Sequence, residues 1–226
     1  MNTTLVLEFL RNIAANNDRT WFQNHRDEYI AARTEFENYV EKAIARIARF
    51  DNSIAHITVK DTVYRFYRDT RFSPDKSPYK RHLGAYIAAH GKKAFHGGYY
   101  VHVEPGNCML ACGCYYLPTN ILTACRNEIM ANTAEWLQCV ENKKFQSLFR
   151  KGDDCGFGLE KLKTCPAGFP KDFEHLDYLR MKDYCCWRNV DDHFFDHEDA
   201  LDRMADVFKT AKPMLDFVNA VIDDYE

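Results

Sequence analysis

The sequence lacks the short motifs that identify most reactions. It has no Gly-x-Gly-x-x-Gly fingerprint, no P-loop, no Gly-x-Ser-x-Gly nucleophile elbow and no His-Glu-x-x-His zinc motif. Its nine cysteines include no Cys-x-x-Cys pair, and we find no internal repeat or low-complexity tract. The sequence motifs therefore assign no reaction and no cofactor to the chain.

Long apolar runs are also missing. No stretch approaches the ~20 apolar residues that a membrane-spanning helix needs. The opening residues lack a basic lead, and Glu8 interrupts the apolar run where a signal peptide needs it to be continuous. The cysteines are odd in number, and a bridge between the neighbours Cys185 and Cys186 would be strained. We therefore expect reduced thiols, a cytoplasmic location and no membrane partner.

A general basic excess is absent as well. The chain carries a net charge of −3 and has a pI near 6.3, whereas nucleic-acid-binding domains usually have an excess of cations across a whole face. Nucleic acid is therefore not the expected partner, and any contact with a polyanion must be local. Oligomeric state is not indicated by the sequence.

The local exception is the segment from Arg65 to Arg81, which carries +4 and leaves −7 for the rest of the chain. Its cations are Arg65, Arg68, Arg71, Lys76, Lys80 and Arg81, and its anions are Asp69 and Asp75. Arginine binds phosphate and carboxylate through two parallel hydrogen bonds. We predict that Arg65, Arg68, Arg71 and Lys76 bind a small anionic, phosphate-containing ligand. In this interpretation Asp69 and Asp75 orient the guanidinium groups, and Tyr79 stacks or donates a hydrogen bond.

Two alternatives use the same residues. In the first, Asp69 and Asp75 pair with these arginines inside the fold, and the protein is a non-catalytic structural or interaction protein. In the second, the arginines and the interleaved Tyr and Phe side chains bind one strand of nucleic acid, with the aromatic rings as stacking platforms. The sequence leaves open whether the protein is an enzyme.

The fold class predicted for residues 1–226 is a single α+β domain, with a central, mostly antiparallel sheet between N-terminal and C-terminal helices. Apolar periodicity predicts helices near residues 3–15, 19–49, 119–131, 133–141 and 173–182, a short element at 143–149, and a last helix from Glu198 that Pro213 kinks or splits. Predicted strands are 83–90, 98–104, 108–116, a weak one at 159–164, and 184–190. Pro105-Gly106-Asn107 predicts a turn that pairs the second and third strands.

The start of the basic segment is ambiguous. A strand at residues 62–68 would place Arg65 and Arg68 on opposite faces, whereas a helix would bring them together with Asp69. We favour a short strand followed by a loop, because Pro74 and Pro78 are incompatible with regular structure.

Two sets of histidines are further candidates. His102 and Glu104 share a strand face with Tyr100 and could act as a general base and its orienting partner, although a solvated sheet face shows the same alternation. His82 and His96 have less support from any pattern. His193 and His197 would share one face of a helix and could bind a metal, yet acidic residues ahead of a helix, with Asp196 as a cap, explain that segment equally well. We therefore predict no metal site.

Three stretches of the chain form a longer pattern, namely Asn16-Asn17-x-Arg19-x-Trp21-Phe22, then Arg65-x-x-Arg68-Asp69-x-Arg71-Phe72-x-x-Asp75-Lys76-x-x-Tyr79, and then Gly98-Tyr99-Tyr100-x-His102-x-Glu104-Pro105. With these stretches the chain resembles an uncharacterised bacterial family known as domain of unknown function 2461. The resemblance spans most of the chain. It implies no activity, substrate or cofactor, and no catalytic residue.

Overall fold

A computed structural model describes residues 1–225. The helices in this range are α1 Thr3–Ala15, α2 Arg19–Asn24, α3 Arg26–Ile47, α4 Val59–Thr62, α5 Thr119–Ala131, α6 Thr133–Val140, α7 Lys143–Phe149, α8 Leu176–Leu179 and α9 Ala200–Asp223. The strands are β1 Leu83–Ile87, β2 Gly98–Val103, β3 Met109–Cys114, β4 Cys155–Phe157 and β5 Tyr184–Asn189. They form one antiparallel sheet in the order β1-β2-β3-β5-β4. The predicted α+β class is confirmed.

The chain divides into two compact units. The first contains Met1–Lys92, Tyr100–Leu110 and Asn189–Asp206. The second contains Lys93–Tyr99, Ala111–Arg188 and the chain from Val207 onward. The expectation of a single domain stays a prediction.

An aromatic cluster forms part of the core of the first unit. The Phe22 ring stacks on Tyr79 with centroids 4.1 Å apart, and Phe66 lies 5.8 Å from Phe9 and 5.0 Å from Tyr29. Phe66 and Tyr79 are each 2% exposed. Because these two residues belong to the basic segment, the cluster attaches that segment to α1, α2 and α3.

A side-chain amide reinforces this attachment. Asn17, in the turn between α1 and α2, accepts a hydrogen bond from the Tyr79 N–H and donates one to the Tyr79 carbonyl, both at 3.0 Å. The amide thus occupies both backbone hydrogen-bonding groups of a buried residue. The position of the second half of the basic segment therefore depends on Asn17.

Two predictions about the first unit were wrong. The long helix predicted over residues 19–49 is interrupted at His25, whose ring stacks on Trp21 at 3.9 Å and whose backbone is not helical. The strand predicted at residues 62–68 is absent, because Thr58 and Asp61 form a capping box that starts the short helix α4. After α4, Val63 and Tyr67 make only isolated bridges.

The second unit has its own aromatic core around Trp136, which is fully buried. Its ring lies 5.5 Å from Tyr184 and 5.2 Å from Phe217. β4 pairs with β5 in the register Cys155 to Arg188 and Phe157 to Cys186.

The strand predicted at residues 159–164 is reduced to one isolated bridge, between Lys161 and Met181, and the buried Asp183 carboxylate accepts the N–H groups of Leu159 and Glu160 before it. The helices predicted at residues 119–131 and 133–141 are confirmed as α5 and α6, and the element at 143–149 is α7. The predicted helix at 173–182 is reduced to α8. Of the two effects predicted for Pro213, a split is wrong, because α9 continues through it, and a kink stays a prediction.

Candidate functional site

The basic segment folds as an irregular loop that returns along its own path. The Arg68 N–H donates to the Pro78 carbonyl at 2.9 Å, and the Lys80 N–H donates to the Phe66 carbonyl at 2.9 Å. These bonds bring the two ends of the segment side by side. Side chains near residues 64–68 therefore lie close to those near residues 78–82.

Arg68 and Asp75 pair inside this loop. The Arg68 guanidinium donates to the Asp75 carboxylate at 2.5 Å and to the Ser77 carbonyl at 3.1 Å. Asp75 also accepts from the Ser77 hydroxyl at 2.6 Å and from the Ser77 N–H at 2.9 Å. These hydrogen bonds from Ser77, followed by the bond from Arg68, hold the pKa of Asp75 well below its usual value. Arg68 therefore stabilises the loop itself.

Arg71 and Asp69 form a second pair, closer to the tip of the loop. Two bonds of 3.0 and 2.7 Å join the guanidinium to the carboxylate, and they lower the pKa of Asp69 to about 2. The Arg71 side chain is 77% exposed. Lys76 donates to the Thr70 carbonyl at 3.0 Å. Both carboxylates of the segment are thus occupied by two of its six cations.

Arg65 and Lys80 are arranged differently from these pairs. Arg65 is exposed and forms no ion pair or hydrogen bond with residues 1–225. The half-buried Lys80 ammonium lies 5.1 Å from the centre of the Tyr64 ring and has no carboxylate partner in the same range. Burial, and then repulsion by Arg65, lower the pKa of Lys80. Neither of these two neighbouring cations is therefore bonded to a carboxylate of the described residues, although the charge of Arg65 acts on Asp69.

Next to Lys80 lies a polar cluster that consists of His82, Tyr100, His102 and Glu104. The Tyr100 hydroxyl is 2.8 Å from His102 Nδ1, and His102 Nε2 is 3.2 Å from a Glu104 carboxylate oxygen. The His82 and His102 rings are 4.5 Å apart. Both ring nitrogens of His102 therefore have a partner, and any proton transfer from this histidine would pass through Tyr100 or Glu104.

Strand alternation builds this cluster. Tyr99, Val101 and Val103 are fully buried on one face of β2, which leaves Tyr100 and His102 on the other face. A β-carbon on Gly84 in β1 would lie 2.6 Å from the Tyr100 hydroxyl. The Tyr100 ring therefore fits against β1 only because Gly84 has no side chain.

Burial determines the electrostatics of the cluster. It lowers the pKa of His82 to about 4, with further lowering by the charges of His102 and Lys80. It also lowers the pKa of His102 and raises that of Tyr100. Burial acts to raise the pKa of Glu104, but hydrogen bonds from Asn107 and His102 hold it below its usual value. At neutral pH the cluster contains neutral histidines beside one carboxylate.

Comparison with known families settles the resemblance. The family model described as "Conserved hypothetical protein (DUF2461)" matches residues 5–217. The chain belongs to the DUF2461 family. It matches no curated protein and no solved structure.

The predicted site residues of this DUF2461 chain lie in one unit but have different environments. Arg65, Arg71 and Lys76 are exposed, Arg68 is half-buried and paired, and Tyr79 is in the core. His102 and Glu104 share a face with Tyr100, as predicted. Whether any of these residues binds a ligand stays a prediction.

Sequence analysis did not assign Lys80 or His82 to a site with His102. Lys80 was counted only as part of the charge excess. The alternation of β2 identified Tyr100, His102 and Glu104, but no pattern related them to residues about twenty positions earlier. The pairing of β2 with β1, which begins directly after His82, provides that relation.

The histidine pair near the end of the DUF2461 chain does not share a helical face. His193 and His197 lie on either side of a short 3₁₀ turn at Phe194–Asp196. The Asp196 carboxylate is 3.4 Å from His193 and accepts the Thr3 N–H at 2.8 Å. Asp196 therefore supports the start of α1 rather than the start of α9.

The residues that the structure describes contain no helix with the length and apolar character needed to span a membrane.

Proposed function

We propose that this protein binds a small anionic, phosphate-containing ligand through the basic segment Arg65–Arg81, with Arg65 and Lys80 as the principal contacts. The observation that supports this proposal is a pair of neighbouring cations, neither of which forms a hydrogen bond or an ion pair with a carboxylate among residues 1–225. Withdrawing an ammonium group from water costs free energy unless an opposite charge compensates it. A phosphate group would supply that charge to both cations.

The remaining predicted residues have supporting roles in this proposal. The Arg68–Asp75 and Arg71–Asp69 pairs shape the loop, and Tyr79 fixes it to the core. Lys76 and Arg81 add positive charge nearby. Each internal pair is neutral, so the full +4 of the segment resides on Arg65, Lys76, Lys80 and Arg81.

Isothermal titration calorimetry with pyrophosphate tests this proposal. A charge-assisted hydrogen bond contributes about 1.5 to 3 kcal/mol, so Arg65→Ala and Lys80→Met should each weaken binding about 10- to 100-fold. Arg71→Ala is the matched control, because it removes an exposed arginine that is already bonded to Asp69. It should change the affinity less than about threefold. If both Arg65→Ala and Lys80→Met bind pyrophosphate like the wild type, the proposal is wrong.

The alternative function is interaction with another protein, and one observation favours it. Phe72, near the tip of the loop, is 93% exposed beside the Arg71–Asp69 pair. Exposed aromatic rings are typical of interaction surfaces. Pyrophosphate binding distinguishes the two functions: a loss of affinity in Lys80→Met with an unchanged melting temperature supports the ligand site, and a wild type that does not bind pyrophosphate favours the interaction function.

We further propose that the protein is cytoplasmic. All nine cysteines are free thiols, and seven of them are buried. Such a set is typical of a reducing compartment. Alkylation of the purified, unfolded protein without a reductant should label nine thiols, and a lower number would indicate disulfides.

A further inference from the structure

We propose that His82, His102 and Glu104 form a binding site for one divalent transition-metal ion. One potential ligand atom from each of the three side chains lies within 4.8 Å of the others. Two imidazoles and a carboxylate are a donor set that proteins use for zinc and for iron(II), with positions left open for water or substrate. The site does not depend on the anion site proposed above.

The spacing of the ligand atoms fits such an ion. Zn–N and Zn–O bonds of about 2.0 to 2.2 Å place neighbouring ligand atoms of a tetrahedral site roughly 3.3 Å apart. His102 Nε2 and the nearest Glu104 oxygen are already 3.2 Å apart. The His82 ligand atom lies within 4.8 Å of both, so coordination requires it to approach them by no more than about 1.5 Å.

The surrounding contacts are those of an oriented metal ligand. The Tyr100 hydroxyl lies 2.8 Å from His102 Nδ1 and can accept a hydrogen bond from Nδ1–H, which leaves the Nε2 lone pair for the ion. The Asn107 amide donates to Glu104 at 2.7 Å and fixes the carboxylate. His102 and Glu104 therefore each have a neighbour that holds the side chain in position.

His82 supplies the independent observation. It makes no hydrogen bond with the part of the chain that the structure describes, although it is half-buried against the His102 ring. Its ring nitrogens are not fully buried, so either water or a metal ion from solvent can be their partner. A metal ion between His82, His102 and Glu104 would provide one. The hydrogen bonds to Tyr100 and Glu104 occupy both nitrogens of His102 without a metal, but they leave the nitrogens of His82 unbonded.

The neighbouring cations affect this site in a testable way. Lys80 lies close enough for its charge to act on His82 and His102, so it repels a bound metal ion. A phosphate group between the metal and Lys80 would offset that repulsion. If the proposed function is also correct, metal and pyrophosphate should each raise the affinity for the other by the same factor.

Equilibrium dialysis of the whole chain against Zn²⁺ and Mn²⁺, without phosphate, tests the site. Mn²⁺ is included because free thiols compete for Zn²⁺ more than for Mn²⁺. The wild type should bind one ion that His82→Ala weakens about 100-fold or more, and Tyr100→Phe should weaken it about 10- to 100-fold. His193→Ala, which removes an exposed histidine elsewhere in the same unit, is the control and should bind like the wild type.

Two results overturn the proposal. One is a wild type that binds neither ion below about 1 mM, and the other is a folded His82→Ala that binds as tightly as the wild type. If His82→Ala does not fold, Glu104→Gln takes its place, because the amide can still accept the bond from Asn107 while the charge is lost. Failure of metal binding with intact pyrophosphate binding rejects only the metal site.

Discussion

Asn17→Ala should destabilise the first unit strongly, although Asn17 lies in a surface turn. The amide makes two 3.0 Å hydrogen bonds to the backbone of Tyr79, whose side chain is 2% exposed. Its removal leaves one N–H and one carbonyl without partners. Each such group costs about 1 to 3 kcal/mol when buried. Because the turn is partly solvated, we expect a total loss at the lower end, about 2 to 3 kcal/mol.

Thermal unfolding followed by circular dichroism measures this loss. For a chain of this length about 2 to 4 °C corresponds to 1 kcal/mol, so the melting temperature should fall by roughly 5 to 10 °C. The matched control is Asn16→Ala. The Asn16 side-chain amide donates to the Asn12 carbonyl, which belongs to α1. We therefore expect the melting temperature of Asn16→Ala to fall by less than about 3 °C. Equal melting temperatures for the two variants would refute the role given to Asn17.

Three further predictions follow from single contacts. Gly84→Ala should displace the Tyr100 ring, and the melting temperature should fall by about 2 to 8 °C. Trp136→Ala should cost about 3 to 5 kcal/mol in urea unfolding, because the ring is fully buried, and a loss below about 1 kcal/mol would contradict its core position. Asp196→Asn tests a pH effect. Partial burial acts to raise the pKa of Asp196, but hydrogen bonds from Thr3 lower it overall. A lowered folded-state pKa stabilises the fold above the unfolded-state value of ~3.9, and this contribution is lost as the pH falls through the folded-state value. The wild type should therefore exceed Asp196→Asn in stability by about 0.3 to 1 kcal/mol at pH 7, and the difference should shrink toward pH 3.

Local signals predicted much of the fold. Alternation defined β2 and β3, and the turn at Gly106, with φ of +72°, joins them as expected. The capping box at Thr58 and Asp61 was also a local signal, but the β-branched residues around it favoured a strand instead. The break at His25 was missed, because the apolar periodicity continues across it; in the structure the His25 ring stacks on Trp21 at this point.

The candidate site was harder to predict because charge counting does not show which charges meet. The excess of +4 was correct, but the sequence did not reveal that Asp69 bonds to Arg71 and Asp75 to Arg68. Nor did it relate His82 to His102, which depends on the approach of two chain segments.

The cations of the basic segment fall into two groups, those bonded to a carboxylate of the loop and those that are not. Arg68 and Arg71 are bonded to carboxylates two to seven residues away. A substitution at either position therefore breaks an ion pair inside the loop rather than a contact with a ligand. Arg65 and Lys80 have no such partner among the described residues, so their loss changes charge while the hydrogen bonds of the loop remain. Lys80→Met keeps the apolar stem of the side chain. The substitution stabilises the fold by removing the repulsion between Lys80 and Arg65. It also destabilises the fold by about 0.5 to 1 kcal/mol, because the contact of the ammonium with the Tyr64 ring is lost. The stability of this variant should therefore stay within about 1 kcal/mol of the wild type, and a large loss of pyrophosphate affinity in it would report binding rather than folding.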